Sequence, residues 1–357
     1  MIKYNVFIIN NVQLKQFYQE CQKDKNIAID TEFFWTDTYE PTLCLVQISN
    51  SNKVVILDVI KYKLDLDYLK KLLIDHKILK IFHSAKQDIQ VFFNLFKIFP
   101  KNIFDIQLGI LPLGYDNSTS LKTVCKDFLN IDLNKENQFI DWRYRPLNSK
   151  QIEYAKNDVK YLILLYQKIK FKLKKLKRET WIAGLHKKLT DKSEYLKHRT
   201  AWKKINFLPQ NINELMNLKK LSAIREVFAK KENKSVKKII SNKEIIKLCK
   251  TSVEVNEKKE IITKIQNKRL KKYISKLNLN NKILIGTEAL ELTNDEKTKI
   301  KKIRIILEQK AYALKIQTNL IANKAEIIEI VKKKNISFFY GWKSIFLDKD
   351  IKQILKD

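Results

Sequence analysis

Ile27–Trp35 reads IAIDTEFFW, and the fold turns on that stretch. Apolar residues of a buried strand lead straight into two acids, Asp30 and Glu32. Side chains alternate along a strand, so these two carboxylates leave the same face where the strand ends. Like charges at that spacing repel unless a cation lies between them. Taken alone, the pattern also fits capping or solvated acids, and its neighbours decide between the readings.

Outward from that strand, short apolar runs alternate with helical spacing. Strands are expected over Asn26–Asp30, Leu43–Ser49, Val54–Val59, Ile78–His83 and Ile103–Asp105. Between them, Leu66–His76 and Lys86–Phe96 carry helical periodicity, the second with Ile89, Phe92, Phe93 and Phe96 on one stripe. A longer helix is expected from Ser149, just after Pro146, through Tyr161 to about Leu176. Alternation of this kind marks an α/β domain. From Lys170 onward strand signals fade and amphipathic helices take over, with Asn-rich turns such as Asn206–Asn213 and a second break at Asn278–Lys282. The expected division is an α/β domain over 1–175 and two small helical domains over 190–275 and 280–357.

A chain of 357 residues exceeds one domain of roughly 100–200 residues. With 45% hydrophobic and 31% charged residues it has enough apolar side chain for a core in each domain. Only five Gly and five Pro occur, which excludes collagen-like and linker-like classes. Cys21, Cys44, Cys125 and Cys249 are scattered, with no CxxC pair and no nearby His, so neither a zinc site nor a disulfide framework is indicated. That usage points to a reducing compartment. The apolar run at the N-terminus is too short for a signal peptide and no run approaches about 18 apolar residues, so a cytoplasmic protein without a membrane span is expected.

Net charge is +32 and unevenly placed. Residues 1–170 carry 24 Lys+Arg against 19 Asp+Glu, whereas residues 171–357 carry 47 against 20. Such an excess repels itself unless it meets a polyanion, and lysines that neutralise phosphates release counterions. RNA or DNA is the expected partner; a Lys- and Ile-heavy coding bias is the competing account. Arginine supplies seven of the 71 basic residues, which favours nonspecific phosphate contact over bidentate reading of guanine.

Two further segments carry placed acids. Asp88 lies in IFHSAKQDIQVFF, just inside a helix, where it also suits the positive end of the helix dipole. Tyr154 and Asp158 in EYAKNDVKYL are spaced i and i+4 and share a helix face. Four carboxylates from three segments can hold two divalent cations about 3.5–4 Å apart. Oxygen ligands suit magnesium or manganese, and the lack of His and Cys clusters argues against zinc.

The runs IAIDTEFFWTDTYEPTLCLVQIS, IFHSAKQDIQVFF and QIEYAKNDVKYL together resemble the three motifs of the DEDD superfamily of 3′–5′ exonucleases, in its tyrosine-bearing branch, and within it the bacterial ribonuclease D family. The likeness spans residues 24–170, including the intervening LGYDNSTSLKTVCKDFLNIDLNKENQFIDWRYRPLN. It implies an RNase H-like domain, a mixed sheet flanked by helices. It also implies that Asp30, Glu32, Asp88 and Asp158 ligate two divalent ions, Mg2+ or Mn2+, and that Tyr154 orients the attacking water. The implied reaction is hydrolysis from the 3′ end of RNA, with release of nucleoside 5′-monophosphates.

Neighbouring residues have less defined places. Phe33, Trp35 and Tyr39 follow the acids and either stack on terminal bases or pack in the core. His83 ahead of the Asp88 helix either meets phosphate or is structural, and Gln87 and Arg143 are candidates to reach the RNA backbone. In the basic half, Tyr195–Lys250 resembles the HRDC module, the helicase-and-ribonuclease-D C-terminal domain, best at Trp202, the Asn-rich turn and the Leu218–Ala229 helix with Arg225. Asn319–Lys334 followed by Phe338–Leu355 looks like the end of a second, divergent copy, while Glu254–Leu290 matches poorly. Trp181, Trp202 and Trp342 are expected in helical cores. These modules imply phosphate binding while a single-stranded 3′ end feeds the acids.

The expected activity is a metal-dependent 3′–5′ exoribonuclease that trims structured precursors, with 3′-extended transfer RNA as the family-implied substrate and no obligatory protein partner. Two alternatives stay open: a DNA exonuclease of the same fold, and an inactive RNA-binding protein. The absence of a GxxxxGK[ST] loop excludes a helicase.

Overall fold

The computed structural model describes residues 7–133, 140–195, 197–277, 292–334 and 336–356. The expected break at Asn278–Lys282 lies outside the described residues.

The N-terminal part runs β1 (Phe7–Ile8), α1 (Asn11–Asp24), β2 (Asn26–Phe34), β3 (Thr42–Ser49), β4 (Val54–Asp58), α2 (Asp67–Ile74), β5 (Leu79–Phe82), α3 (Lys86–Phe96), β6 (Ile103–Asp105), α4 (Ile106–Gly109), α5 (Leu121–Leu129), α6 (Ser149–Lys160), α7 (Leu162–Lys175) and α8 (Ala183–Leu189). The described strands form one mixed sheet in the order β1-β4-β3-β2-β5-β6. β2, β3 and β4 make an antiparallel meander, while β5 and β6 add in parallel beside β2 and β1 adds in parallel beside β4. This is the mixed sheet flanked by helices that the resemblance implied: β2 sits inside the sheet, its first half held between β3 and β5 and its acid-bearing end paired with β3.

Three differences from the sequence reading have physical causes. β2 continues to Phe34, past the expected end at Asp30, because β3 pairs with it as far as Thr42. β1 is only two residues long, too short to show alternation, and exists by pairing with β4. The single helix expected after Pro146 is two helices that divide at Tyr161. α6 buries Ala155 with Cys44, Leu45, Ile56 and Trp142, whereas Val159 in its last turn joins Leu162, Leu165, Ile169 and Leu173 of α7 in a second cluster with Phe104, Ile106, Val124 and Phe128. α3 has the expected bounds and buries Ile89 and Phe92 of its predicted stripe.

The chain groups into two compact units. The first takes residues 1–34, 42–190 and 294–357; the second takes 35–41 and 191–293. In the first, the C-terminal helices share a core with Leu111 and Trp181, and Trp181 stacks on Trp342 with ring centres 4.7 Å apart. Gly114 turns this unit's chain with φ +99°, and the carbonyl of Lys315 comes so near that a Cβ there would clash. In the second unit, the helices Ile212–Glu232, Asn242–Cys249, Val255–Lys264 and Lys268–Ser275 close around Leu218, Leu221, Ile245, Leu248, Ile261 and Leu270. Arg225 is buried there, and its guanidinium donates to Asn242 Oδ1 at 2.7 Å. All four cysteines are free and buried. Among the described residues no helix is long and apolar enough to cross a membrane.

Candidate active site

The site is built where β2 meets α6. Asp30 pairs across the sheet with Gln47, and Glu32 with Leu45. The next pair is Phe33 with Leu43, so β3 spends an extra residue, Cys44, at this point. Such a bulge increases twist and re-aims the neighbouring side chains.

α6 brings the third acid. A capping box fixes its start: Asn148 Oδ1 accepts from the Gln151 backbone N–H at 2.9 Å, and Gln151 Oε1 accepts from the Asn148 N–H at 2.8 Å. Its far end is tied to β3 by the Ser49 hydroxyl, which donates to the Val159 carbonyl at 3.0 Å. The segment before it is held by Arg145, whose Nε and Nη2 each lie 2.6 Å from a carboxylate oxygen of Asp58. Thus held, α6 places one oxygen of Asp158 within 4.8 Å of oxygens from both Asp30 and Glu32.

Asp88 stands beside this trio rather than within that mutual distance. Its carboxylate is buried and accepts from the Thr31 hydroxyl at 2.5 Å, from the residue between the two β2 acids. Its charge is felt at Glu32 and at Asp158.

Burial is the largest influence on all four acids and pushes each above the usual carboxylate range; Asp158 reaches about 8. Their mutual charges push the same way: Asp158 on Asp30, Asp30 on Glu32 and Asp88, and Asp88 on Asp158. Tyr154, one turn before Asp158, has its phenol pushed up by burial and by Asp158, Glu32 and Asp30, so it stays a hydrogen-bond donor at neutral pH. Carboxylates packed like this stay charged together only with a cation among them. Hard oxygen donors with no nitrogen or sulfur fit a divalent ion such as magnesium or manganese.

The other sequence candidates fall in varied places. Phe33 is partly buried on β2, and Gln87 is exposed in the first turn of α3. His83 ends up mostly enclosed past the end of β5, where burial lowers its proton affinity. Arg143 is engaged locally, with Nη2 2.6 Å from Asp141 and its guanidinium 3.4 Å above the Phe34 ring. In the second unit, Trp35 is exposed and its indole N–H donates to the Tyr39 carbonyl, whereas Tyr39 is buried.

Sequence reading missed Thr31 and Gln47. Gln47 is fully buried opposite Asp30, on the same sheet face, and neither its amide nitrogen nor its amide oxygen has a partner. An unmet amide across from Asp30 suits a site meant to hold further polar groups. The available signal was a polar residue inside the apolar run LCLVQIS.

A family model described as a 3′-5′ exonuclease matches residues 5–174, the part that contains the sheet, all four acids and Tyr154. The fold and the site therefore define a 3′–5′ exonuclease. Over 349 residues the chain is 28% identical to ribonuclease D of Bartonella henselae, covering 92% of this chain and 85% of that one. It is 33% identical over 228 residues to ribonuclease D of Sphingobium indicum, covering 63% and 59%. The crystal structure of Escherichia coli RNase D, an exoribonuclease involved in structured RNA processing, shares the fold with a TM-score of 0.81 at 20% identity over 99% of both chains. The chain is a 3′–5′ exoribonuclease of the ribonuclease D type, a hydrolase whose exonuclease fold implies divalent-metal dependence.

Proposed function

We propose that this enzyme trims 3′ extensions from structured RNA precursors, transfer RNA among them, and releases nucleoside 5′-monophosphates. The convergence of Asp30, Glu32 and Asp158 within one small acidic site carries the reading. Asp30, Glu32, Asp88 and Asp158 would hold two divalent ions, magnesium or manganese, which supply the charge that acidifies water and stabilises the departing 3′ oxygen. The protein's own part is positioning. Tyr154 keeps its phenolic proton and donates a hydrogen bond that orients the water on the scissile phosphorus. Thr31 fixes the rotamer of Asp88. Phe33, His83 and Gln87 flank the acids as contacts for the terminal nucleotides.

The domain over 1–175 performs the chemistry in this reading. The HRDC-like regions over 190–275 and 280–357 supply lysine-rich faces for phosphates, which holds RNA without base readout.

The test is a time course on a 5′-labelled, 3′-extended transfer RNA and a matched DNA strand with magnesium, manganese or chelator. A metal-dependent ladder that shortens from the RNA 3′ end, weak on DNA and absent in Asp158→Ala while that variant still binds RNA, is expected. A ladder that survives in Asp158→Ala would move the chemistry elsewhere. Equal shortening of both strands would favour a DNA exonuclease.

A further inference from the structure

α3, which delivers Asp88 in its first turn, has no side-chain cap of its own: Ala85 occupies the cap position. Unmet N–H groups at a helix start need an acceptor. Here it comes from a distant strand end. Asp105, at the end of β6 and only 2% exposed, accepts the Ala85 N–H on Oδ2 at 2.8 Å and the Ser84 N–H on Oδ1 at 3.2 Å. The same Oδ1 caps α4 by accepting from Gln107 and Leu108 at 2.8 and 3.3 Å. One carboxylate thus joins β6, α4 and the turn that launches α3.

The turn it holds is strained. Ser84 has φ +65°, a left-handed conformation that residues other than glycine adopt at a cost. It persists where the surroundings over-determine it, and the Asp105 carboxylate on two successive N–H groups does so. Asp105 is itself held from behind. Its backbone N–H donates to His186 Nε2 at 2.7 Å, and His186 Nδ1 lies 3.0 Å from the Ile182 carbonyl. The imidazole is therefore neutral with its proton on Nδ1, and both nitrogens are used.

We infer that Asp105 is a positioning residue for the acidic centre: by clamping the left-handed Ser84 turn it sets where α3 begins and so where the Asp88 carboxylate stands. Asp88 has little freedom to compensate, because it is buried and bound to Thr31. A shift of the helix start moves this acid relative to Asp30, Glu32 and Asp158. The inference rests on the reading of Asp88 as a metal ligand.

The experiment compares the full-length wild type with Asp105→Asn, Asp105→Asn/Ser84→Gly, His186→Ala and Asp88→Asn. Measured quantities are the manganese concentration for half-maximal RNA hydrolysis, direct manganese binding in the absence of RNA, RNA affinity in chelator, and the thermal midpoint. Asp105→Asn keeps the side-chain shape but loses one acceptor. Outer partners of metal ligands typically affect metal affinity or activity about 10- to 100-fold, so the manganese requirement of Asp105→Asn should rise by at least about tenfold, with RNA affinity unchanged. Glycine adopts φ above zero without penalty, so the double variant should recover part of that shift. His186→Ala removes the acceptor behind Asp105, together with the ring that packs on Phe104, and should move manganese binding the same way by less, which keeps the test open if Asp105→Asn does not fold. A lowered thermal midpoint with unchanged manganese dependence in Asp105→Asn or, failing that, in His186→Ala would make the clamp merely structural. If Asp88→Asn itself leaves manganese binding unchanged, the reading of Asp88 fails instead.

Discussion

Asp158 is raised to about 8 by burial and by the charge of Asp88, against an ordinary value of 3.8. Between those values the folded, metal-free protein holds a proton that the unfolded chain has released. Stability linked to this group is therefore present below about pH 4 and is lost as pH rises through about 8. Asn has no proton to lose. In chelator, Asp158→Asn should gain in thermal midpoint relative to wild type between pH 5 and pH 8, and magnesium should restore the wild type alone; a constant difference across that range would contradict the shift. Tyr154→Phe removes the phenolic hydroxyl and leaves the four acids. Its single-turnover rate should fall about a hundredfold with metal binding intact, and an unchanged rate would take Tyr154 out of the mechanism.

At the level of elements, α6 works as an arm pinned at both ends. Arg145 is largely buried and Asp58 almost wholly so, and their bidentate pair fixes the segment that enters the helix. Removing one partner of a buried pair strands the other charge, so Arg145→Met should cost about 3 kcal/mol in chemical denaturation and lower hydrolysis as Asp158 loses its place. The double variant Arg145→Met/Asp58→Asn should cost less than the two single changes summed, because no charge is left buried alone. Strand and helix existence was legible where pattern was long: Lys86–Phe96 shows its stripe openly, and the alternation around Ile27–Glu32 shows the acid-bearing strand. The division at Tyr161 was not legible, since Ser149–Lys175 is one continuous amphipathic pattern, and Val159 just before the break packs in the same cluster as the α7 residues after it. β1 was invisible because two residues form a strand only when a neighbour offers its edge.

For the whole molecule, the +27 carried by residues 171–357 should govern RNA affinity through counterion release. With six or more phosphates engaged, affinity should fall about a hundredfold or more between 50 and 200 mM salt, measured by filter binding in chelator to suppress cleavage. Near-constant affinity would remove the lysine-rich helices from RNA holding. The catalytic acids belong to a different balance, since their ionisation depends on each other and on a bound cation far more than on bulk salt.

The sequence by itself determined the acids. Asp30 and Glu32 share a face because strands alternate, Tyr154 and Asp158 share one because helices turn in 3.6 residues, and both relations are local. It also placed the basic excess in the second half of the chain. Only the tertiary structure decided that Asp158 reaches Asp30 and Glu32 while Asp88 stands beside them on Thr31, and that Gln47 lies unpartnered across from Asp30. It alone showed that the turn launching Asp88 is closed by Asp105, 20 residues from Ala85 along the chain. Such relations depend on which strands become neighbours and in what register, which no local periodicity encodes.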